Sequence, residues 1–105
     1  MTAGIPQLML PATELTAVMT GASVLIGTFL QTPIKIFFDN LGTAQVVLSV
    51  SYDGGATKTQ FKTFSPGEAM TMDDDHWTFP KGMSFYGVGA SGTFSIAYTY
   101  AKQAG

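Results

Sequence analysis

The sequence contains no cysteine and no arginine. It has one histidine, one tryptophan, and charged residues amount to only 11% of 105 positions. Each shortage removes a class of function. Without cysteine there is no disulfide framework, no thiolate nucleophile and no cysteine-based zinc site. A lone histidine needs further imidazole or thiolate partners before it can hold zinc, and the sequence has none. Nucleic-acid binding draws most of its affinity from clustered Arg and Lys that neutralise phosphates. Here the five lysines (Lys35, Lys58, Lys62, Lys81, Lys102) are scattered and the formal net charge is −2. Nucleic acid is not an expected partner.

A long apolar run is missing too. Residues 15–34 carry no charge, but Thr16, Thr20, Gly21, Ser23, Gly27, Thr28, Gln31, Thr32 and Pro33 interrupt them. A membrane span needs about 20 predominantly apolar residues. No membrane association is expected. The opening MTAGIPQLMLPATE has no basic segment, so a secretory signal is not expected. The length suits one domain with one core. Low charge beside 46% hydrophobic residues points to a surface that is partly covered in its working state, or to one rich in Thr, Ser, Gln and Gly.

The strongest signal present is alternation. In QVVLSVSYDGG, Val46, Leu48, Val50 and Tyr52 share one strand face, opposite Val47, Ser49 and Ser51. In TFSIAYTYA, Phe94, Ile96, Tyr98 and Tyr100 stand opposite Ser95, Ala97 and Thr99. In PIKIFFDN, Ile34, Ile36 and Phe38 oppose Lys35 and Phe37. Turn chemistry punctuates these runs at Asn40-Leu41-Gly42, Asp53-Gly54-Gly55, Ser65-Pro66-Gly67-Glu68, Pro80-Lys81-Gly82 and Ser91-Gly92. Strands are expected over 23–30, 34–39, 45–52, 58–64, 69–73, 83–89 and 93–101. This is an all-β chain: a single antiparallel β-sandwich, jelly-roll or Ig-like, of about seven to eight strands. Residues 1–22 are expected as an extended N-terminal arm and 23–105 as the sandwich domain. Within the arm, ATELTAVM at 12–19 reads as one or two helical turns capped by Thr13. Pro6 and Pro11 disfavour regular pairing around Leu8, Met9 and Leu10. Apolar side chains on such an arm need a surface to lie on. Leu8, Met9 and Leu10 are therefore the candidate assembly contacts.

One stretch invites a chemical reading: MDDDHW at 72–77. Consecutive aspartates in extended chain point to opposite sides, so at most Asp73 and Asp75 converge. Calcium needs six to eight oxygen ligands from spaced positions. His76 is alone, and no nucleophile stands in a recognisable motif. The stretch reads as a solvated acidic loop, pinned by Trp77 and Phe79 turning inward. No catalytic, cofactor-binding or metal-binding residue is assigned. Asp53-Gly54-Gly55 and Gly87-Val88-Gly89 lack phosphate-loop spacing and open no helix. Trp77, Tyr86, Tyr98 and Tyr100 could form a sugar-stacking platform, but Tyr98 and Tyr100 share a face with Phe94 and Ile96, which favours core.

The order of these features is informative. Gly27, Pro33-Ile34-Lys35-Ile36, Asn40, the alternating Val46/Leu48/Val50 and Ser51-Tyr52-Asp53-Gly54-Gly55 come first. Pro66-Gly67, Met70-Thr71-Met72-Asp73, Pro80-Lys81-Gly82, Tyr86, Gly92 and a final Tyr-x-Tyr-Ala strand follow. Over residues 20–101 this resembles small β-sandwich accessory structural proteins of tailed-bacteriophage virions. Each motif alone is common turn chemistry; the order carries the likeness. The first strand has Lys35 alone where that group often has several basic residues, and the run Asp73-Asp74-Asp75 is heavier than expected. The resemblance implies a non-enzymatic virion component, a capsid decoration or a head–tail, collar or tail ring protein. It implies a homo-oligomer whose partners are capsid, portal or tail proteins, located in the virion after assembly in the host cytoplasm. It supplies no catalytic residue and no cofactor. The alternative from another class is a carbohydrate-binding or receptor-recognition module.

Overall fold

A computed structural model describes residues 13–73 and 79–100. The alternating segments become eight antiparallel strands. They are β1 (Thr13–Val18), β2 (Val24–Thr28), β3 (Lys35–Asn40), β4 (Val46–Ser51), β5 (Thr59–Phe64), β6 (Ala69–Asp73), β7 (Ser84–Gly89) and β8 (Thr93–Thr99). Two four-stranded sheets form, in the orders β1-β8-β3-β6 and β2-β7-β4-β5. No helix occurs among the described residues.

Period two puts every second side chain between the sheets. Phe94, Ile96 and Tyr98 of β8 are fully buried, as are Ile36 and Phe38 of β3 and Val46 and Leu48 of β4. Phe85 from β7 and Phe64 from β5 meet them from the second sheet. The rings interlock edge to face: Phe38 lies 5.6 Å from Phe85, Phe64 lies 5.0 Å from Phe94, and Phe29 lies 4.7 Å from Tyr98. Edge-to-face pairs at these spacings match the quadrupoles of the rings.

Three expectations need correction. Of the segment 12–19 expected as helical turns, the described residues 13–19 do not make them. Thr13–Val18 is β1, paired with β8 from Thr13↔Tyr98 to Val18↔Thr93. TELTAV alternates, with Thr13, Leu15 and Ala17 half-buried and Glu14, Thr16 and Val18 exposed. Burial of Leu15 on the core favours the strand over the local helical preference. β1 thus lies inside the segment expected as arm; residues 1–12, with Leu8, Met9 and Leu10, lie outside the described residues. Tyr52 does not continue the buried face of β4: the strand ends at Ser51 and Tyr52 is 64% exposed. The last strand ends at Thr99, while Tyr100 packs against the core beyond it. The uncharged run 15–34 folds as most of β1, a connection and β2.

Two contacts fix how the connections sit. Asn40, at the end of β3, is 1% exposed. Its Nδ2 donates to the carbonyls of Ala44 (2.8 Å) and Ser65 (3.0 Å), and its Oδ1 accepts from Gly42 N–H (3.1 Å). One side chain therefore ties the β3–β4 loop to the β5–β6 turn. That turn is the expected type II: Gly67 has φ 75° and Glu68 N–H donates to the Ser65 carbonyl at 3.0 Å. Next to the Asn40 knot, Gly92 meets Gly42 backbone to backbone. A Cβ on Gly92 would stand 2.7 Å from Gly42 Cα.

Asn40→Ala leaves the Ala44 carbonyl and the Ser65 carbonyl without this donor, and stability should fall by about 1–3 kcal/mol. Asn40→Asp keeps the shape but offers no N–H, so it should lose at least as much at pH 7. Urea unfolding of both variants checks this; wild-type-like stability of Asn40→Asp would show that the knot contributes nothing.

Candidate functional site

No described set of side chains forms a reaction centre, so the surfaces come forward. Among the described residues no three His, Cys, Asp or Glu side chains group closely enough to hold a metal ion. Asp74, Asp75, His76 and Trp77 lie outside the described residues, while Phe79 turns inward against Phe61 and Phe85. Of the aromatics weighed as a platform, the described Tyr86 is not brought together with Tyr98 and Tyr100. Tyr98 is buried between the sheets with Tyr100 beside it, ring centroids 6.0 Å apart. Tyr86 lies on the opposite side of the second sheet, its ring under the Lys58 ammonium at 4.7 Å.

The Ser51–Thr57 loop is the best-ordered polar cluster. Asp53 Oδ1 accepts from Thr57 N–H (2.8 Å) and from the Ser51 hydroxyl (2.8 Å). Ser51 Oγ accepts in turn from Gly55 N–H at 2.9 Å. The Thr57 backbone N–H, and then the Ser51 hydroxyl, hold the Asp53 carboxyl below its ordinary 3.8. A carboxylate stabilised in its charged form this way makes a poor general base. The Ser-x-Asp-Gly motif is thus loop construction. Glu68 is held below its ordinary 4.5 by the Ser65 backbone N–H and then by Lys62, whose ammonium lies 3.1 Å away.

What remains is an apolar sheet surface whose strands carry no charge of their own, with the Lys58 ammonium standing over Tyr86. β2, β7 and β4 are neighbours, and the sequences VLIGT, SFYGVG and VVLSVS contain no charged residue. On their outer face Leu25 stands opposite Tyr86, and Tyr86 opposite Ser49. Val88 stands opposite Val47 in the next row. Leu25 is 52% and Val88 41% exposed. Ser84 and Thr28 hydroxyls bond each other at 2.7 Å at one end of the face. The outer face of the other sheet is mixed: Phe37 is 39% exposed between Ala97 and Thr71, but Glu14 and Asp39 flank it. Glu14 accepts a 2.8 Å bond from the Ser95 hydroxyl. This apolar face was not singled out in the sequence. Its signal is the absence of charge in three segments, and only the pairing shows that those segments are neighbours.

No family model matches the chain, and no curated protein matches it. Solved structures do resemble it. A chain from Bacillus endospore appendages, which form disulfide-linked pili, is 14% identical with a TM-score of 0.51, covering 90% of this chain and 89% of that one. The Yersinia pseudotuberculosis-derived mitogen is 13% identical with a TM-score of 0.46, covering 90% of each chain. The Drosophila NLP core, described with pentamer formation and histone binding, is 12% identical with a TM-score of 0.45, covering 83% of this chain and 97% of that one. The first shows a shared fold; the other two align too loosely to support any argument.

Both depressed carboxyls fix the sign of one pH effect. Their stabilisation is full above the unfolded values and is lost as pH falls through the lower folded ones. The urea midpoint should therefore drop on acidification below about pH 4. Asp53→Asn with Glu68→Gln should lower the midpoint at pH 7 and flatten its acid dependence. An unchanged acid slope in the double variant would move the effect to other carboxyls.

Proposed function

We propose that this protein is a non-enzymatic structural subunit that works inside a symmetric assembly, and that the assembly is the virion of a tailed bacteriophage. The observation that carries the structural reading is the apolar outer face of β2, β7 and β4, three neighbouring strands without a charged residue. Every charged group brought into a contact must be desolvated, and these three strands contribute none; the Lys58 ammonium over Tyr86 comes from the β4–β5 connection. Leu25 and Val88 would gain from cover at roughly 25 cal/mol per Å² of apolar area.

The virion reading rests on the ordered resemblance over residues 20–101. The nested pairing agrees with it. β1 pairs with β8, β2 with β7, β3 with β6 and β4 with β5. We read this order as a jelly roll, an architecture that recurs in viral capsid domains and also in lectins. In this reading the subunit sits on the capsid as decoration or at the head–tail junction, collar or tail. Its partners are copies of itself and capsid, portal or tail proteins. Leu8, Met9 and Leu10 are contacts of that assembly. A disulfide linkage like that of the endospore pili is not open to this chain, which has no cysteine.

Quantitative mass spectrometry of purified particles tests the placement. A copy number near the major capsid protein's is expected for a decoration protein, and one near the portal's for a collar or tail protein. Absence from the particle would overturn the virion reading and favour the sugar-binding alternative. Leu25→Asp with Val88→Asp tests the face. Both side chains already meet water, so the melting temperature should hold while incorporation into particles drops at least tenfold. Undiminished incorporation would remove this face from the assembly.

A further inference from the structure

Each sheet has two edge strands, and an edge offers unpaired N–H and C=O groups to any passing strand. Three of the four edges carry a protecting device. β2 has a bulge between Leu25 and Gly27 and lies against β1. β1 is covered from that same side: the Leu15 methyls stand 2.8 Å from where a Cβ on Gly27 would be. β5 has a register shift opposite Leu48 and Ser49, and Lys62 within it. Among the described residues β6 has neither bulge nor cover, and its single charged residue, Asp73, stands at its very end. Its register against β3 is unbroken from Asp39↔Ala69 to Lys35↔Asp73, and Ala69-Met70-Thr71-Met72 carries neither charge nor proline.

The direction of its backbone groups follows from one bond. Asn40 N–H donates to the Glu68 carbonyl at 2.9 Å. Bonded and non-bonded pairs alternate in an antiparallel ladder. Phe38↔Met70 and Ile36↔Met72 are therefore the bonded pairs. Leu41 N–H donating to the Thr93 carbonyl at 2.9 Å agrees, since it turns the odd-numbered residues of β3 toward β8. The N–H and C=O groups of Ala69 and Thr71 point away from β3, and both residues are exposed.

We propose that residues 7–10 of a second copy add to β6 as a fifth strand of the β1-β8-β3-β6 sheet. This rests on the reading of Leu8, Met9 and Leu10 as assembly contacts, and names the surface they join. The segment matches the edge. Gln7-Leu8-Met9-Leu10 is uncharged and lies between Pro6 and Pro11. Proline lacks the donor a ladder needs, so it is confined to the ends of an added strand. Four residues remain, the length of the uncharged edge Ala69–Met72. The segment starts from the far side of the same sheet, because β1 and β6 are its opposite edges. Twelve residues precede Thr13 and reach about 40 Å when extended. Ile5 to Ala12 contains two prolines and no glycine, a composition that favours extended chain over a reversal onto its own sheet. One edge giving and the opposite edge receiving is a head-to-tail contact. Repeated, it closes into a ring or runs on as a filament.

The absence of native cysteine makes the test clean. Single-cysteine variants Met9→Cys and Thr71→Cys, mixed and oxidised, should yield a disulfide between the two chains, identified by peptide mass spectrometry. Met9→Cys with Gln60→Cys, on β5, should not. Thr71→Pro removes the outward N–H without taking a bond from β3. It should stay folded by circular dichroism and turn monomeric by light scattering, as should a chain lacking residues 2–12. If the truncated chain is monomeric but Thr71→Pro still assembles, or Met9→Cys links to Gln60→Cys, the arm remains the joint and β6 is not its acceptor. If the truncated chain still assembles, the arm reading falls as well. A Met9→Cys/Thr71→Cys double variant that links within its own chain at high dilution would also overturn the proposal.

Discussion

Two sheets stay face to face only if the space of about 10 Å between them is filled without voids. Here aromatic rings fill much of it. Phe85 touches Phe29, Phe38, Phe61 and Phe79, and Phe38 reaches on to Phe64. The rings come from β3, β5, β7 and two connections, so the network joins elements far apart in sequence. Flat, stiff rings fill volume with few rotamers, which limits the entropy lost on ordering them. The rest depends on this filling. The outer faces are free to differ, one mixed with carboxylates and one apolar, because they are not asked to hold the sheets together.

Much of this architecture is legible in the sequence, and the reason is periodicity. TFSIAYT must bury Phe94, Ile96 and Tyr98 if it is a strand at all, and it does. Ser65-Pro66-Gly67-Glu68 makes its turn because proline and glycine leave few other choices. β1 is harder to read. Thr13 followed by Glu14 is also how a helix begins, and six residues are too few for period alone to decide. The register shifts are not legible, because they depend on partners. Phe61 falls out of step with β4, which pairs Leu48 with Lys62 and Ser49 with Gln60, and nothing in TQFKTF announces it.

The candidate surface was hidden for the same reason. Leu25, Val88 and Val47 are each ordinary exposed apolar residues when taken singly. They matter together because β2, β7 and β4 lie side by side, and that order comes from pairing across the whole chain. Absent chemistry was easier to read than present contact. The lack of cysteine and arginine, and the isolation of one histidine, narrowed the function before any fold was known. Asp53-Gly54-Gly55 lacks the spacing of a phosphate loop, and the hydrogen bonds of Asp53 go to its own loop.

The nested pairing also sets an order in time. β4 and β5 are neighbours in the chain and can close a hairpin early. β3 with β6, then β2 with β7, must each span more chain, and β1 must wait for β8, with Thr13 opposite Tyr98. Closing longer loops costs more entropy and is slower. During synthesis β1 therefore leaves the ribosome long before its partner exists. It stays an unpaired, sticky strand until β8 has been made. A subunit that folds from its middle outward cannot present its N-terminal strand in place until the body is finished, so assembly through that end would admit only complete molecules.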